Sequence, residues 1–352
     1  MSAMLERCLD DLESRLDDEV ESLNRRSWQS FCDSPHPGEI FLPPSRPQTP
    51  PSTPWPDVMV NDAIEDMDLM LLQQFGHVSS VLETGQSSRL NVRCNYGSSI
   101  LPSVLGMEMF CMDRQLNTLP TSRPLGDARK VRELVDRGVP DPNSGLGSRV
   151  FECAGRFMEV LAKYPRIGAN VEVYHPDCQG PMDVAEVVWG SEIFLGFYDD
   201  PALVRDLLEL VAQTYEVFMR RWYSLVPPQP RYSAHWGWTH LGVLALRNDS
   251  LMNISPDTYV EFVRPIDQRL FDTFGGAGLM HFCGRGDHYI EQMSQMTGLS
   301  AIAMSQPHMN DMEVIYRHTV DKGIRLVGFR REWADKANRP LRGMVNCTPE
   351  AS

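Results

Sequence analysis

Residues 278–329 read GLMHFCGRGDHYIEQMSQMTGLSAIAMSQPHMNDMEVIYRHTVDKGIRLVGF. Three short apolar runs, Leu279–Cys283, Ser300–Ser305 and Ile324–Phe329, alternate with two helical patterns, Asp287–Thr297 and Asn310–Lys322. Gly323 follows the second helix, where a left-handed C-cap favours a residue without a side chain. Strand, helix and strand at this spacing predict parallel strands joined by crossover helices. The alternation continues in both directions. Further strands are expected at Leu90–Tyr96, Ala169–His175, Arg231–Trp236, Gly242–Asn248 and Arg342–Cys347, with helices at Pro201–Leu225 and Ser255–Phe274. Ser255 and Pro256 make an N-cap and a first helical position. A count of about eight strands predicts an α/β fold of the closed (β/α)₈ type, a TIM barrel. A doubly wound open sheet would call for a glycine-rich phosphate turn after an early strand. No G-x-G-x-x-G is present, and Cys283-Gly284-Arg285-Gly286 is too short to serve as one.

Upstream, Leu5, Leu9, Leu12, Leu16 and Val20 form one stripe at helical spacing, which predicts a helix that docks on the barrel or on a partner chain. Ser34 to Pro56 is rich in proline and reads as an extended arm, neither helix nor central strand. The expected organisation is a helical extension over 1–33, a proline-rich arm over 34–56 and a barrel over 57–352. The extension and arm fit a docking role, and they fit the arm of a homodimer equally well.

The net charge of −14 argues against nucleic acid and against anionic membrane surfaces as partners. No apolar run approaches the roughly 20 residues needed to cross a bilayer. The acidic N-terminus lacks the apolar core of a secretory signal. Eight scattered cysteines without such a signal read as reduced thiols, and a cytoplasmic location is expected.

Chemistry in such a barrel sits where strands run out into the loops that follow. Side chains two apart on a strand share a face, so His281 and Cys283 both point into the barrel mouth while Phe282 faces the helices. An imidazole beside a thiol can share a metal, or act as base and nucleophile. Cys347 closes the last expected strand at the same mouth. His281, Cys283 and Cys347 would leave a fourth position open on Zn²⁺, which suits catalysis, because an open position can hold a substrate thiol as thiolate. Other polar strand ends are His175 and Asp177 on one face with Gln179 close after, His235 with Trp236 and Trp238, and the pair Arg247 and Asp249. His175, Asp177 and His235 are the candidates for catalysis. Asn95, Tyr96, Gln179, Trp236, Arg247, Asp249 and Gln306 are candidates for lining a small-molecule substrate pocket. His288, His308 and His318 lie on helical stretches and are expected at the surface.

Several blocks carry a resemblance: Asn95-Tyr96-Gly97, His175 through Pro181, Ser255-Pro256 with Tyr259 and Phe262, His281-Phe282-Cys283-Gly284, and Ser305-Gln306-Pro307. From about Trp55 onward the chain resembles the uroporphyrinogen decarboxylase superfamily, in particular its methyltransferase-like branch. The resemblance implies a (β/α)₈ barrel. It does not favour porphyrinogen decarboxylation, for which that family carries an arginine-rich R-Q-A-G-R block. This chain has Asn24-Arg25-Arg26-Ser27-Trp28 instead. The methyltransferases of the superfamily move a methyl group between a corrinoid and a thiol, and hold zinc with an H-x-C pair and a late cysteine. The resemblance therefore implies zinc ligation by His281, Cys283 and Cys347. The late block, Asn346-Cys347-Thr348-Pro349, departs from the family's Gly-Cys-Gly turn.

The leading expectation is a zinc-dependent methyltransferase whose corrinoid arrives free or on a separate corrinoid protein. Two alternatives stand beside it. One is a metal-free lyase of the same barrel that uses Asp177 or Asp249 near His175 or His235 to move protons. The other is a corrinoid- or tetrapyrrole-binding subunit.

Overall fold

The structure, a computed structural model, describes residues 1–348. Helices α1 (Ala3–Arg15) and α2 (Asp18–Asp33) open the chain. The Ser2 hydroxyl accepts from the Leu5 amide to cap α1, and the Asp17 carboxylate accepts from Glu19 and Val20 to cap α2. The strands are β1 (Ile40–Phe41), β2 (Asn91–Val92), β3 (Met109–Phe110), β4 (Thr121–Ser122), β5 (Glu172–Val173), β6 (Tyr232–His235), β7 (Trp238–Leu241), β8 (Leu244–Arg247), β9 (Gly278–Phe282), β10 (Leu299–Met304), β11 (Arg325–Arg330) and β12 (Val345–Thr348).

Six strands form one parallel sheet in the order β1-β12-β11-β10-β9-β8, and β2 and β5 form a second parallel pair. The architecture is thus mixed α/β with eight parallel strands, and the hydrogen-bonded ladder does not run continuously around a ring. This corrects the expectation of a closed ladder. Between β5 and β8 a side chain replaces the backbone ladder, because His175 Nε2 accepts from the Ala245 amide at 3.0 Å. Two further departures share a cause. The run at Arg231–Trp236 is not a barrel strand. It is the first arm of an antiparallel hairpin with β7, in the register His235↔Trp238 around a two-residue turn, Trp236-Gly237. Both turn residues have positive φ, 50° and 85°, as the favoured two-residue hairpin turn requires. The missing parallel strand comes from the proline-rich segment, where Ile40–Phe41 pairs along the sheet edge with Val345 and Asn346. Proline flanks are compatible with an edge, where no second ladder is needed.

The helix expected at Ser255–Phe274 forms with its N-cap, the Ser255 hydroxyl accepting from Thr258 N at 3.1 Å. It contains a π-helical turn at Tyr259–Val263, just before Pro265. Proline has no N–H to offer the preceding turn, which widens so that Arg264 N bonds to Tyr259 O. Among the described residues no helix is long and apolar enough to cross a membrane.

Two apolar layers result. The outer layer packs helices against the sheet and takes in Leu5, Leu9, Leu12 and Leu16 of α1. The inner layer joins Trp28 and Phe31 of α2 and Phe41 of β1 to Ala245, Leu279, Ala301, Ala303 and Val327. Phe31 and Phe41 stack at 4.5 Å. The inward alanines leave room for these rings. Helix α2 lies at the N-terminal end of the strands, where Arg325 donates to Phe31 O. The β6–β7 hairpin floors the same end, since Leu241 O accepts from Ser300 and Gly237 O accepts from Arg89 N. The C-terminal ends of the strands stay open.

Helix α2 is tied to the proline-rich segment by a buried pair, Arg46 and Glu21, each side chain 1% exposed, with Nη2–Oε2 at 2.8 Å. Removing one partner strands the other charge in the interior, at a cost of about 3–5 kcal/mol. Glu21→Ala is expected to lower the unfolding free energy from urea titration by that amount while Glu19→Ala, on the exposed side of the same helix, leaves it within about 0.5 kcal/mol.

Candidate metal centre at the strand ends

Strands β8 and β9 pair in the register Arg247↔His281. The loops that follow therefore leave the sheet side by side, and Asn248 N donates to His281 O at 2.9 Å. Alternation along β9 sends Met280 and Phe282 to the outer layer and Leu279 to the inner one, so His281 points inward. The Asp249 carboxylate accepts from Cys283 N at 2.7 Å. Asp249 is itself held from behind, because the buried Asp183 carboxyl accepts from Asp249 N and Ser250 N at 2.9 and 2.8 Å.

This geometry brings together Asp249, His281 and Cys283, whose donor atoms all lie within 4.8 Å of one another. His281 Nε2 is 3.5 Å from Cys283 Sγ and 3.7 Å from Asp249 Oδ1. Nitrogen and sulfur donors on one tetrahedral Zn²⁺, at bonds of roughly 2.0–2.3 Å, stand about 3.5 Å apart. The donor set of imidazole, thiol and carboxylate fits such an ion.

The electrostatics point the same way. Burial, then the Arg247 charge, pulls His281 down to about 4, against the opposing pull of Asp249 and Asp177, so its imidazole is neutral and free to ligate. Burial raises the Cys283 thiol, partly offset by its hydrogen bond with Ser305 Oγ at 3.4 Å. Burial alone would lower Arg247, yet Asp177 and Asp249 outweigh it and hold the guanidinium above its usual range. Arg247 spans these carboxylates, reaching Asp177 at 2.5 Å and Asp249 at 3.1 Å. Asp177 also takes Arg93 at 3.3 Å and Gln179 at 2.9 Å. Burial, and then the Asp249 charge, lifts Asp183 to about 7.

The remaining expected residues fall into three groups. Asp177, Gln179, Arg247 and Trp236 stand around the centre, Trp236 with its ring 5.5 Å from His281. Gln306 acts on the loop, accepting from Gly284 N at 2.6 Å. The others lie elsewhere. Asn95 bonds to Gln73, and Tyr96 is wholly buried in the outer layer. His175 has both ring nitrogens engaged, with Pro176 O and Ala245 N. His235 lies in the floor hairpin, bonded to His240.

Cys347 is not brought to the pair. On β12 it lies with Val345 in the outer layer, and Asn346 between them bonds inward to Gly328 N and Phe41 O. The third group that stands within 4.8 Å of the pair is Asp249. Pro349 of the late block lies outside the described residues. A cavity of about 400 Å³ adjoins His281, lined by Trp238, Ser305, His308, Arg330 and Trp333. His308 is exposed, as expected, and in addition lines this cavity, stacking on Trp333 with ring centroids 6.1 Å apart. Its position two residues after Gln306, just past the end of β10, was the available signal.

No protein-family model matches the chain, and a search of curated proteins finds no match. Among solved structures, a methyltransferase from Methanosarcina mazei is similar, with a TM-score of 0.62 and 16% identity over 93% of this chain and 94% of that one. At this identity the likeness is one of fold.

His240, wholly buried, is lowered to about 4 by burial, as is His281. An unfolded histidine titrates near 6.5. The stability gained from keeping such a ring neutral is complete above about pH 6.5 and is lost as pH falls toward 4. Chelator-treated protein is expected to lose unfolding free energy over that window. His240→Gln, which keeps an acceptor for His235, is expected to flatten the profile by on the order of 3 kcal/mol. Parallel profiles for the two proteins would contradict the assignment.

Proposed function

We propose that the chain is a zinc-dependent methyltransferase that moves a methyl group between a corrinoid and a small thiol. The observation that carries the reading is the convergence of Asp249, His281 and Cys283 at the open end of the strands. The eight parallel strands are read as the staves of a (β/α)₈ barrel parted at its seams, where reactive groups gather at the C-terminal mouth. The name of the structural neighbour, a methyltransferase, supports the same chemistry.

Zinc held by an imidazole, a thiolate and a carboxylate keeps a fourth position for an acceptor thiol, which it stabilises as thiolate near neutral pH. The chain's own residues prepare that position. Arg247 and Asp183 fix the Asp249 carboxylate from the side chain and from the main chain. The Cys283 thiol donates to Ser305 Oγ; a thiolate on zinc would instead accept from that hydroxyl, and such outer hydrogen bonds orient ligands. Trp236 and Trp238 pack against the inner layer beneath the centre. In the transfer a sulfur–carbon bond forms as the cobalt–carbon bond breaks. The bonding pair stays on cobalt, and the thiol proton passes to solvent. The corrinoid comes free or on a partner protein.

The metal-free lyase reading loses one of its acid–base candidates, because both nitrogens of His175 are committed to backbone partners.

Protein purified without chelator is expected to carry about one zinc per chain by elemental analysis. Asp249→Asn and Cys283→Ser should each lower zinc affinity 10-fold or more, while Cys347→Ser leaves it unchanged. Zinc content retained in full by both site variants would overturn the ligand assignment. With methylcobalamin and 2-mercaptoethanol, the zinc-loaded chain is expected to form the methyl thioether. No thioether across a panel of small thiols would overturn the corrinoid reading while leaving the metal centre standing.

A further inference from the structure

A second cavity, of about 350 Å³, lies toward the other end of the strands. It fills the seam where β5 and β8 do not pair below the His175 stitch, and it opens to solvent near Ala169 and Pro227–Gln229. Its lining is mixed: Leu161, Trp222, Pro227 and Val243 are apolar, while Arg25, Arg89 and Glu172 are charged and already paired within the chain. Its lining also includes the buried polar side chains of His235 and Thr239, 2% and 5% exposed. Among the described residues, His235 Nε2 and Thr239 Oγ1 have no hydrogen-bond partner.

The proton positions on the histidine chain follow from its contacts. Leu241 O only accepts, so His240 Nδ1 carries the proton that it gives to that carbonyl at 2.9 Å. In the neutral ring His240 Nε2 is then an acceptor, and His235 Nδ1 donates to it at 2.8 Å. In a neutral His235 that leaves Nε2 as a bare acceptor. Burial, aided by His175 and His240, holds His235 well below its usual value, in keeping with a neutral ring. A buried acceptor without a donor costs about 1–3 kcal/mol, so the site rewards a ligand that brings a hydroxyl or amino hydrogen to it.

We propose that this cavity is a binding site, separate from the metal centre, for a small flat ring bearing a hydroxyl, with the hydroxyl donating to His235 Nε2. The ring packs against Trp222 and the proline wall, as aromatic surfaces favour. The volume lies in the range of small-molecule pockets. The inference does not rest on the methyl-transfer reading.

The test is a calorimetric titration of the zinc-loaded full chain with phenol, and with anisole, which keeps the shape and lacks the donor. Phenol is expected to bind saturably, one per chain, at least 10-fold tighter than anisole, as one hydrogen bond of about 1.4 kcal/mol allows. His235→Phe should bring the two ligands level. Val243→Phe, which fills the cavity from its rim, should abolish binding. Asp249→Asn, at the metal centre, should leave phenol affinity unchanged. Each variant is first shown to be folded by near-ultraviolet circular dichroism. Equal binding of phenol and anisole, phenol binding that survives Val243→Phe, loss of binding in Asp249→Asn, or no saturable binding to the native chain would each overturn the proposal.

Discussion

The parallel pairing of β8 with β9 is the constraint on which the candidate centre depends. Parallel strands in register release their following loops at the same height, and alternation fixes which side chains turn inward. With Arg247 opposite His281, the residues two further on, Asp249 and Cys283, meet across the loops, and one carboxylate oxygen takes the Cys283 amide. A slip of one residue would send His281 to the helices and bring Phe282 into the mouth. The pairing is protected by close approaches that only glycine permits. A Cβ on Gly278 would lie 2.7 Å from Leu244 O, and one on Gly180 would lie 2.5 Å from Arg247 O.

The seam between β5 and β8 shows what replaces a ladder where none runs. Backbone groups inside a protein need partners. His175 supplies one to Ala245 N, and Gly180 N supplies one to Arg247 O at the upper end. Below these the hairpin floor takes over, and its tryptophans fill the space left by small inward residues. Trp238 fits against Gly328 so closely that a Cβ there would stand 2.2 Å from the indole. The same division leaves polar groups without partners at the lower end of the seam, at His235 and Thr239. Structural histidines and ligand-facing histidines are thus neighbours in this fold, and only their hydrogen bonds tell them apart.

That distinction marks the limit of what the sequence could convey. Runs such as Leu279–Cys283 and Ile324–Phe329 are legible because apolar stretches of strand length are bounded by capping residues. The helix cap at Ser255 is legible for the same local reason. The inward turn of His281 follows from Cys283 two residues on. Cys347 could not be placed by similar means. Both faces of a parallel strand are buried, so Val345, Asn346 and Cys347 carry no pattern that tells inside from outside. Only the pairing with β11 and β1 sets that parity. The hairpin carried a local signal, a glycine after Trp236 between two apolar arms, but an aromatic residue at a positive φ is a poor match to the usual turn chemistry. Asp249 was seen as the partner of Arg247 and also stands within donor distance of His281 and Cys283, because a carboxylate has two oxygens to divide.

Two of the strained backbone positions fall where the candidate chemistry is. Four non-glycine residues among those described have positive φ: Asn117, Gln179, Trp236 and Arg342. Gln179 and Trp236 stand around the centre, each carrying a cost of order 1–3 kcal/mol that its surroundings must hold in place. Gln179 is held by its bond to Asp177, and Asp177 in turn by Arg247 and Arg93. Trp236 is held by the hairpin arms and by packing in the inner layer. Relaxing either residue would move a polar group or an indole away from His281. A backbone that keeps two such residues beside a buried neutral imidazole, a raised thiol and a clamped carboxylate is ordered in advance of any ligand. That is the condition under which a metal and a substrate can bind without the chain having to rearrange.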